Sequence, residues 1–482
     1  MHMFGKHFME AAKRPAYVFA CALVSLGLVL GGFRPAQASP FFGGVGIKDE
    51  VEMGRKFDTL VRSQLPMIDD PEVSMYVRSI VDRLLAVLPP QPFKYTTGVI
   101  RNNTLNAFAV PGGYVYVFSG LIMNFDAESE LAGVLAHELA HVTQRHVASR
   151  IERGQMLALG ALLAAVAGVA LGGSVGGAAV MGALTATQSA MLNYSRIDEN
   201  EADHQGFQYI VRAGYDPQGM VNAFQKLRRK SWMSGGGNIP TYLSTHPDLG
   251  DRITGIAARI KSQPSGIRNR KEDDNRFRRV KTLLLARYGD MDTSLQIFAK
   301  SPAGDCLARM GEGMIFARRN KIPEAAKAFD TALQCGPDDS LVLREAGIFH
   351  YSRGDQNRAG PLLLRAMNKD PGDYMARFYY ARLMDETGKP LAAHPYYQEV
   401  LRHIPDDADV HDLYGRSLGK ANMLFPAYLH LAYAALFSNN KKKTEQFMGQ
   451  AKHAVRDPAE QAQFDRFSER YKERSEIWKE IL

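Results

Sequence analysis

The chain has no dominant low-complexity tract, no basic run interleaved with aromatic residues, and only three cysteines. The first absence, with 45% hydrophobic and 23% charged residues, places it among ordinary globular proteins. The second leaves nucleic-acid binding without support, because the formal charge of +8 is spread along the chain and interrupted by acids. At 482 residues the chain is too long for one core, so two or three domains are expected.

Charge is also missing locally near the start. Lys13 and Arg14 precede an uncharged run from Pro15 to Phe33, and Ala36-Gln37-Ala38 then matches a small-x-small cleavage pattern. Residues 1–38 therefore read as a secretion signal cleaved after Ala38, because the run is short for a spanning anchor. Cys21 lies in that run after too few apolar residues for a lipidation site. Cys306 and Cys335 remain, in an exported and oxidising compartment. They either pair or serve as small buried hydrophobes on neighbouring helices.

After the signal, amphipathic patterning from Lys48 to Leu88 predicts helix. Phe93 to Ile100 reads as a strand, and Ala107 to Ser119 (AFAVPGGYVYVFS) as a Gly-Gly turn entering an alternating strand. A helix is expected from about Ala127 to Arg150 and a polar one from Ile197 to Ala213. Lys261 to Asp274 (KSQPSGIRNRKEDD) gathers Pro, Gly and charge, and residues 263–274 are the expected linker. The expected divisions are thus a signal (1–38), a first domain (39–262), the linker and a second domain (275–482).

Beyond the linker the sequence repeats. Pro337, Pro371 and Pro405 stand 34 residues apart, the tetratricopeptide period. Ala325, Ala359, Ala393 and Ala427 hold one small position in the same phase. Phe329, Leu363, Tyr397 and Leu431 hold a large apolar one. Gly313, Gly347 and Gly415 recur in the first helix, with Ala381 in the third repeat, where small residues let paired helices approach. About four repeats are expected, with Gln461 to Leu482 as a cap.

The chemistry is concentrated in GVLAHELAHVTQRH, residues 133–146. Positions i and i+4 of a helix share a face, so His137 and His141 can present imidazoles to one metal. Glu138 is one step round, placed to reach a water without ligating. The uncharged flanks Val134, Leu135, Ala136, Leu139, Ala140 and Val142 suit a buried helix, where unpartnered histidines are costly. Catalytic zinc takes three protein ligands and one open position. SRIDENEADHQG (195–206) offers Glu199 and Glu201, which face differently and cannot both serve.

The AHELAH helix, SRIDENEADHQG and AVPGGYVYVFSGL resemble the HExxH peptidases related to the CAAX prenyl-protein endopeptidases. With the signal and the repeats, the resemblance runs along nearly all of the chain. It implies a mainly α protein: an α+β zincin-type metalloprotease domain with a small sheet, then an all-α tetratricopeptide solenoid. It implies one Zn2+ per chain held by His137, His141 and Glu201, with Glu138 as general base. Asp203 is either a partner that orients a ligating histidine or a helix-surface carboxylate; His146 and His204 read as surface residues. The implied role is a periplasmic endopeptidase of envelope quality control, acting on misfolded or stalled outer-membrane proteins. Its implied partner is the barrel-assembly machinery, met through the repeats; the alternative is chiefly a repeat-based chaperone or scaffold with a latent zinc site.

His246, in Ser244-Thr245-His246-Pro247 after the glycines 235–237, has three readings. It is a transition-state hydrogen-bond donor, a reversible fourth zinc ligand that keeps the enzyme latent, or a loop histidine capping the next helix. Gly154 to Ser195 contains no charge, yet His137 and His141 precede it and Glu201 follows it, so one membrane crossing is excluded. A helical hairpin packed on the protease or touching a membrane surface is the preferred reading.

Overall fold

Proline and aspartate punctuate the helices of this chain, beginning with the second. In the computed structural model, which describes residues 44–152, 194–233, 241–268 and 270–481, α1 spans Ile47–Gln64 and α2 Pro71–Leu85. Asp70 caps α2 by accepting the Glu72 N–H at 3.0 Å, and Pro71 takes a first-turn position that needs no donor. Val73, Tyr76, Val77, Ile80, Val81 and Leu84 bury one face of α2 at helical spacing. The expected signal, residues 154–193 of the uncharged tract and Gly235–Gly237 lie outside the described residues.

Three short strands follow: β1 (Thr96–Ile100), β2 (Ala107–Val110) and β3 (Tyr114–Phe118). Their order is β1-β3-β2, with β1 parallel and β2 antiparallel to β3. The Gly-Gly turn joins β2 to β3, so the predicted single strand is a hairpin. After α3 (Ser119–Asn124), α4 (Glu128–Thr143) buries every residue from Ser129 to Val142. The helix expected to reach Arg150 breaks earlier. Arg145 adopts a left-handed φ of 55°, its Nε bonds Glu50 at 2.6 Å, and α5 (His146–Glu152) starts in a new direction.

α6 (Arg196–Arg212) begins with a reciprocal capping box between Ser195 and Asp198. α7 (Gln218–Met233), α8 (Thr241–Thr245), α9 (Leu249–Lys261) and α10 (Ser265–Arg268) complete this part. α4 packs against both α6 and α7. The α4–α6 approach is so close that a Cβ at Gly206 would lie 3.1 Å from the His137 backbone.

The repeats are helix pairs, preceded by α11 (Asn275–Tyr288) and α12 (Met291–Ala299). The pairs are α13 (Cys306–Arg318) with α14 (Ile322–Cys335), and α15 (Ser340–Ser352) with α16 (Gln356–Lys369). They continue with α17 (Tyr374–Glu386) and α18 (Pro390–His403), then α19 (Ala408–Lys420) and α20 (Leu424–Phe437); α21 (Lys441–Ala454) and α22 (Pro458–Ile481) close the array. Asp305, Asp339, Asp373 and Asp407 cap the first helix of each pair with side-chain bonds, again one period apart. Cβ atoms at Gly313, Gly347 and Gly415 would stand 2.9 Å from Phe329, Leu363 and Leu431, so the small and large phases meet across each pair. Cys306 and Cys335 form a disulfide that closes the first pair.

From Ile47 onward the chain is one compact unit. Residues 263–274 are fastened to the peptidase part: Arg270 donates to Val211 O at 2.7 Å, Glu272 accepts the Asp216 N–H, and Asp274 accepts the Glu128 N–H at 2.8 Å. A buried ion network joins α2 to the repeat side. Arg287 pairs with Asp70 and, at 2.6 Å, with Glu345; Arg344 pairs with Glu72 at 2.7 Å. Among the described residues no helix is long and apolar enough to cross a membrane.

Candidate active site

α4 is buried all round, and such a helix carries polar groups only where they have partners. His137 and His141 sit one turn apart on it with their Nε2 atoms 3.0 Å apart. The acid that meets them is Glu199 of α6: its Oε2 lies 3.5 Å from His137 Nε2 and its Oε1 3.5 Å from His141 Nε2. His246, just past α8, completes the group, with Nδ1 2.9 Å from Glu199 Oε1 and 3.3 Å from His137 Nε2. One ligand atom from each of the four lies within 4.8 Å of the others, and all four residues are buried.

Glu201, the ligand that the resemblance implies, is not in this group. It lies two residues along α6, points away, is 47% exposed at its side chain, and meets His146 Nε2 at 3.4 Å. Two residues turn a helix by about 200°, so Glu199 and Glu201 take opposite sides. Glu199 and Asp203 are four apart and share the inner face. Asp203 Oδ1 lies 3.0 Å from His137 Nδ1, which leaves the Nε2 lone pair for the centre. His146 is also inside rather than at the surface: the Arg145 turn brings its Nδ1 to 2.9 Å from His141 Nδ1. His204 is exposed.

Three residues that sequence reasoning missed frame the group. Arg252 of α9 is buried, forks onto Asp203 with two bonds of 2.7 Å, and pairs with Glu199. Tyr194 stacks on His141 at 3.7 Å between centroids, and Tyr242 on His246 at 4.4 Å. None stands at a spacing that marks it; each comes from a different segment and meets the site only through the fold.

The electrostatics are those of a cation site. Glu138, Glu199 and Asp203 bring three buried carboxyl groups, and Arg252 pairs with two of them, Glu199 and Asp203. Burial and the nearby Arg252 both act to lower the His137 pKa, but its bonds to Asp203 and Glu199 outweigh them and hold it at about 9. Burial raises Asp203, yet Arg252 and His137 bring it down to about 2. Burial lowers His141 well below the usual histidine range. Burial likewise pushes up the Glu138 carboxyl, against the pull of His246 and His137. Glu138 Oε1 and His246 Nε2 are buried without a hydrogen-bond partner and stand 3.5 Å apart. A divalent cation among the imidazoles and Glu199 would take the place of the proton on His137, and nitrogen and carboxylate donors are the set that zinc takes.

Access is narrow among the described residues. A crevice of about 10 Å³ beside His141 is lined by Ala109, Val110 and Pro111 at the β2 end and by Val147 and Tyr194 opposite.

Comparison with known proteins agrees with this geometry. Residues 70–260 match peptidase family M48, a stretch that runs from the α2 cap to the end of α9 and takes in every residue of the group. The beta-barrel assembly-enhancing protease of Yersinia pestis is 29% identical over 413 residues, covering 81% of this chain and 82% of that protein. The putative beta-barrel assembly-enhancing protease of Vibrio cholerae is 35% identical over 261 residues, 53% of each chain. The mitochondrial metalloendopeptidase OMA1 of Schizosaccharomyces pombe is 33% identical over 183 residues, 38% of this chain and 52% of that one. A solved tetratricopeptide-repeat protein, YrrB, overlays 36% of this chain and 91% of its own at a TM-score of 0.29 and 19% identity. The chain is thus a metalloendopeptidase: the stretch similar to peptidase family M48 holds the buried histidine and glutamate group, and helical repeats follow it.

Proposed function

We propose that the chain is a zinc-dependent endopeptidase of the bacterial periplasm, exported by its first 38 residues, that degrades misfolded or stalled outer-membrane proteins and assists their assembly. The observation that carries the catalytic part is Glu138: a buried carboxyl whose Oε1 has no hydrogen bond, beside three imidazoles and Glu199. The names of the two bacterial relatives support the substrate class, and repeats of this kind present concave surfaces suited to docking a client or the barrel-assembly machinery.

His137, His141 and Glu199 would hold the ion, and when bound it would polarise the scissile carbonyl and acidify a water. The raised pKa of Glu138 suits a group that takes a proton from water and returns it to the leaving amine. Asp203 fixes the His137 ring through Nδ1, and Arg252 holds Asp203 ionised for that task. β2 lines the crevice, so an extended substrate would add along it as a strand.

The burial of the whole group favours a second feature, latency. His246 Nδ1 lies within the same group, 2.9 Å from Glu199 Oε1, so it would act as a reversible fourth ligand. Zinc content and casein cleavage, measured together on wild type, Glu138→Gln and His246→Ala, test both readings. One zinc per chain, loss of cleavage by about 10²–10⁴-fold in Glu138→Gln, and a gain in His246→Ala are expected. Wild type without zinc overturns the enzyme; an inactive, zinc-loaded His246→Ala overturns latency and makes His246 an aid to catalysis.

A further inference from the structure

A cavity of about 490 Å³ opens between α2 and the repeats, outside the catalytic group. Arg344 lies in its lining and is only 2% exposed. Its Nε bonds Glu345 at 2.9 Å, and its Nη1 bonds Glu72 at 2.7 Å and Asp373 at 3.2 Å, but its Nη2 has no partner. Asp373 also lines the cavity. Its Oδ1 takes Arg344 and the Ala376 N–H, and its buried Oδ2 takes nothing. One donor and one acceptor are thus left over on two buried residues that line the cavity, where an unmade bond is costly.

The rim adds a cation and apolar walls. Arg276 is exposed, stands 5.7 Å from the Tyr76 ring, and has no ion-pair partner among the described residues. Met75, 44% exposed on α2, faces the space together with Met375 at the start of α17. The cavity therefore offers guanidinium N–H groups for an anion, a carboxylate oxygen for an N–H donor, and two thioethers for an apolar side chain. Free phosphate, with an O–H donor of its own, meets the first two but offers nothing to Met75 and Met375. An extended peptide satisfies all three, because its backbone carries N–H donors next to whatever carboxylate it bears.

We propose that this cavity binds a peptide through a carboxylate, either its chain terminus or an acidic side chain, with a neighbouring apolar side chain against Met75 and Met375. The site stands independently of proteolysis and would hold a client or partner segment whether or not the chain cuts it.

The test is fluorescence anisotropy with the full chain carrying Glu138→Gln, so that no peptide is cleaved. Three labelled hexapeptides are compared: one ending in leucine with a free carboxylate, its C-terminal amide, and that amide with an aspartate before the leucine. The free acid should bind at least about tenfold more tightly than the plain amide. Tight binding of the aspartate peptide would name a side chain as the natural source, and weak binding would name the terminus. Arg276→Gln should remove the preference, and because Arg276 is exposed this variant folds even if Arg344→Gln does not. Equal binding of all three peptides, or a preference that survives Arg276→Gln, overturns the proposal.

Discussion

Glu199 and Asp203 lie one turn apart on α6, and that spacing does most to organise the site: one carboxylate reaches the centre and the other steadies a histidine behind it. Glu199→Gln should therefore abolish metal binding, whereas Glu201→Gln should leave metal content at the wild-type level, both read by metal analysis of purified protein. Retained metal in Glu199→Gln would return the ligand role to Glu201. Asp203→Asn should weaken metal affinity by about 10–100-fold, the usual cost of losing a group that orients a ligand, measured by competition with a chelator. The HExxH pair was legible because two histidines and an acid share one short helix. The third acid was legible in principle: of the two glutamates, only Glu199 shares a face with Asp203. Arg252, Tyr194 and Tyr242 were not, since nothing in their own segments marks them.

At the scale of elements, the repeat array was the most readable part, because a 34-residue period records the same packing four times. The break in the helix after α4 was hidden, since it depends on Arg145 taking a left-handed conformation that its side chain does not announce. That break carries His146 inward, so reading the helix straight through placed His146 at the surface. The linker looked like a spacer by composition, yet Asp274 caps α4 from a distance. Asp274→Ala should lower unfolding stability by about 1 kcal/mol, seen as a smaller urea midpoint with an unchanged slope. The disulfide encloses a loop of 29 residues, and its reduction should cost the first repeat pair about 3–4 kcal/mol on the loop-entropy account. Hydrogen exchange of α13 and α14 with and without reductant would show it.

The molecule as a whole should respond to acid at its far end. His411 Nδ1 meets His430 Nδ1 at 2.8 Å and His411 Nε2 meets Pro405 O at 2.9 Å, an arrangement that a neutral pair satisfies. Burial lowers His411 to about 4, and burial with the His411 neighbour lowers His430 to about 3. Folded, the pair binds fewer protons than unfolded histidines do. Its contribution is therefore complete above about pH 6.5 and falls as pH drops toward 4, by up to about 1.4 kcal/mol per pH unit for each ring. Asp407, raised to about 6 by burial, opposes one ring's worth of that loss below pH 6. Urea midpoints from pH 7 to 5 should decline, and a paired His411→Gln, His430→Gln variant should flatten the decline.

The ion network between α2 and the repeats also has a meaning in time. Asp70 and Glu72 are 217 and 272 residues ahead of Arg287 and Arg344, the cations that settle them, and the cap of α4 lies 146 residues behind its first N–H. A chain that emerges from its N-terminus delivers the HExxH helix long before any of these arrive. The catalytic half of a nascent chain is thus born incomplete, and it acquires its final form only when the repeats have been made and have closed upon it.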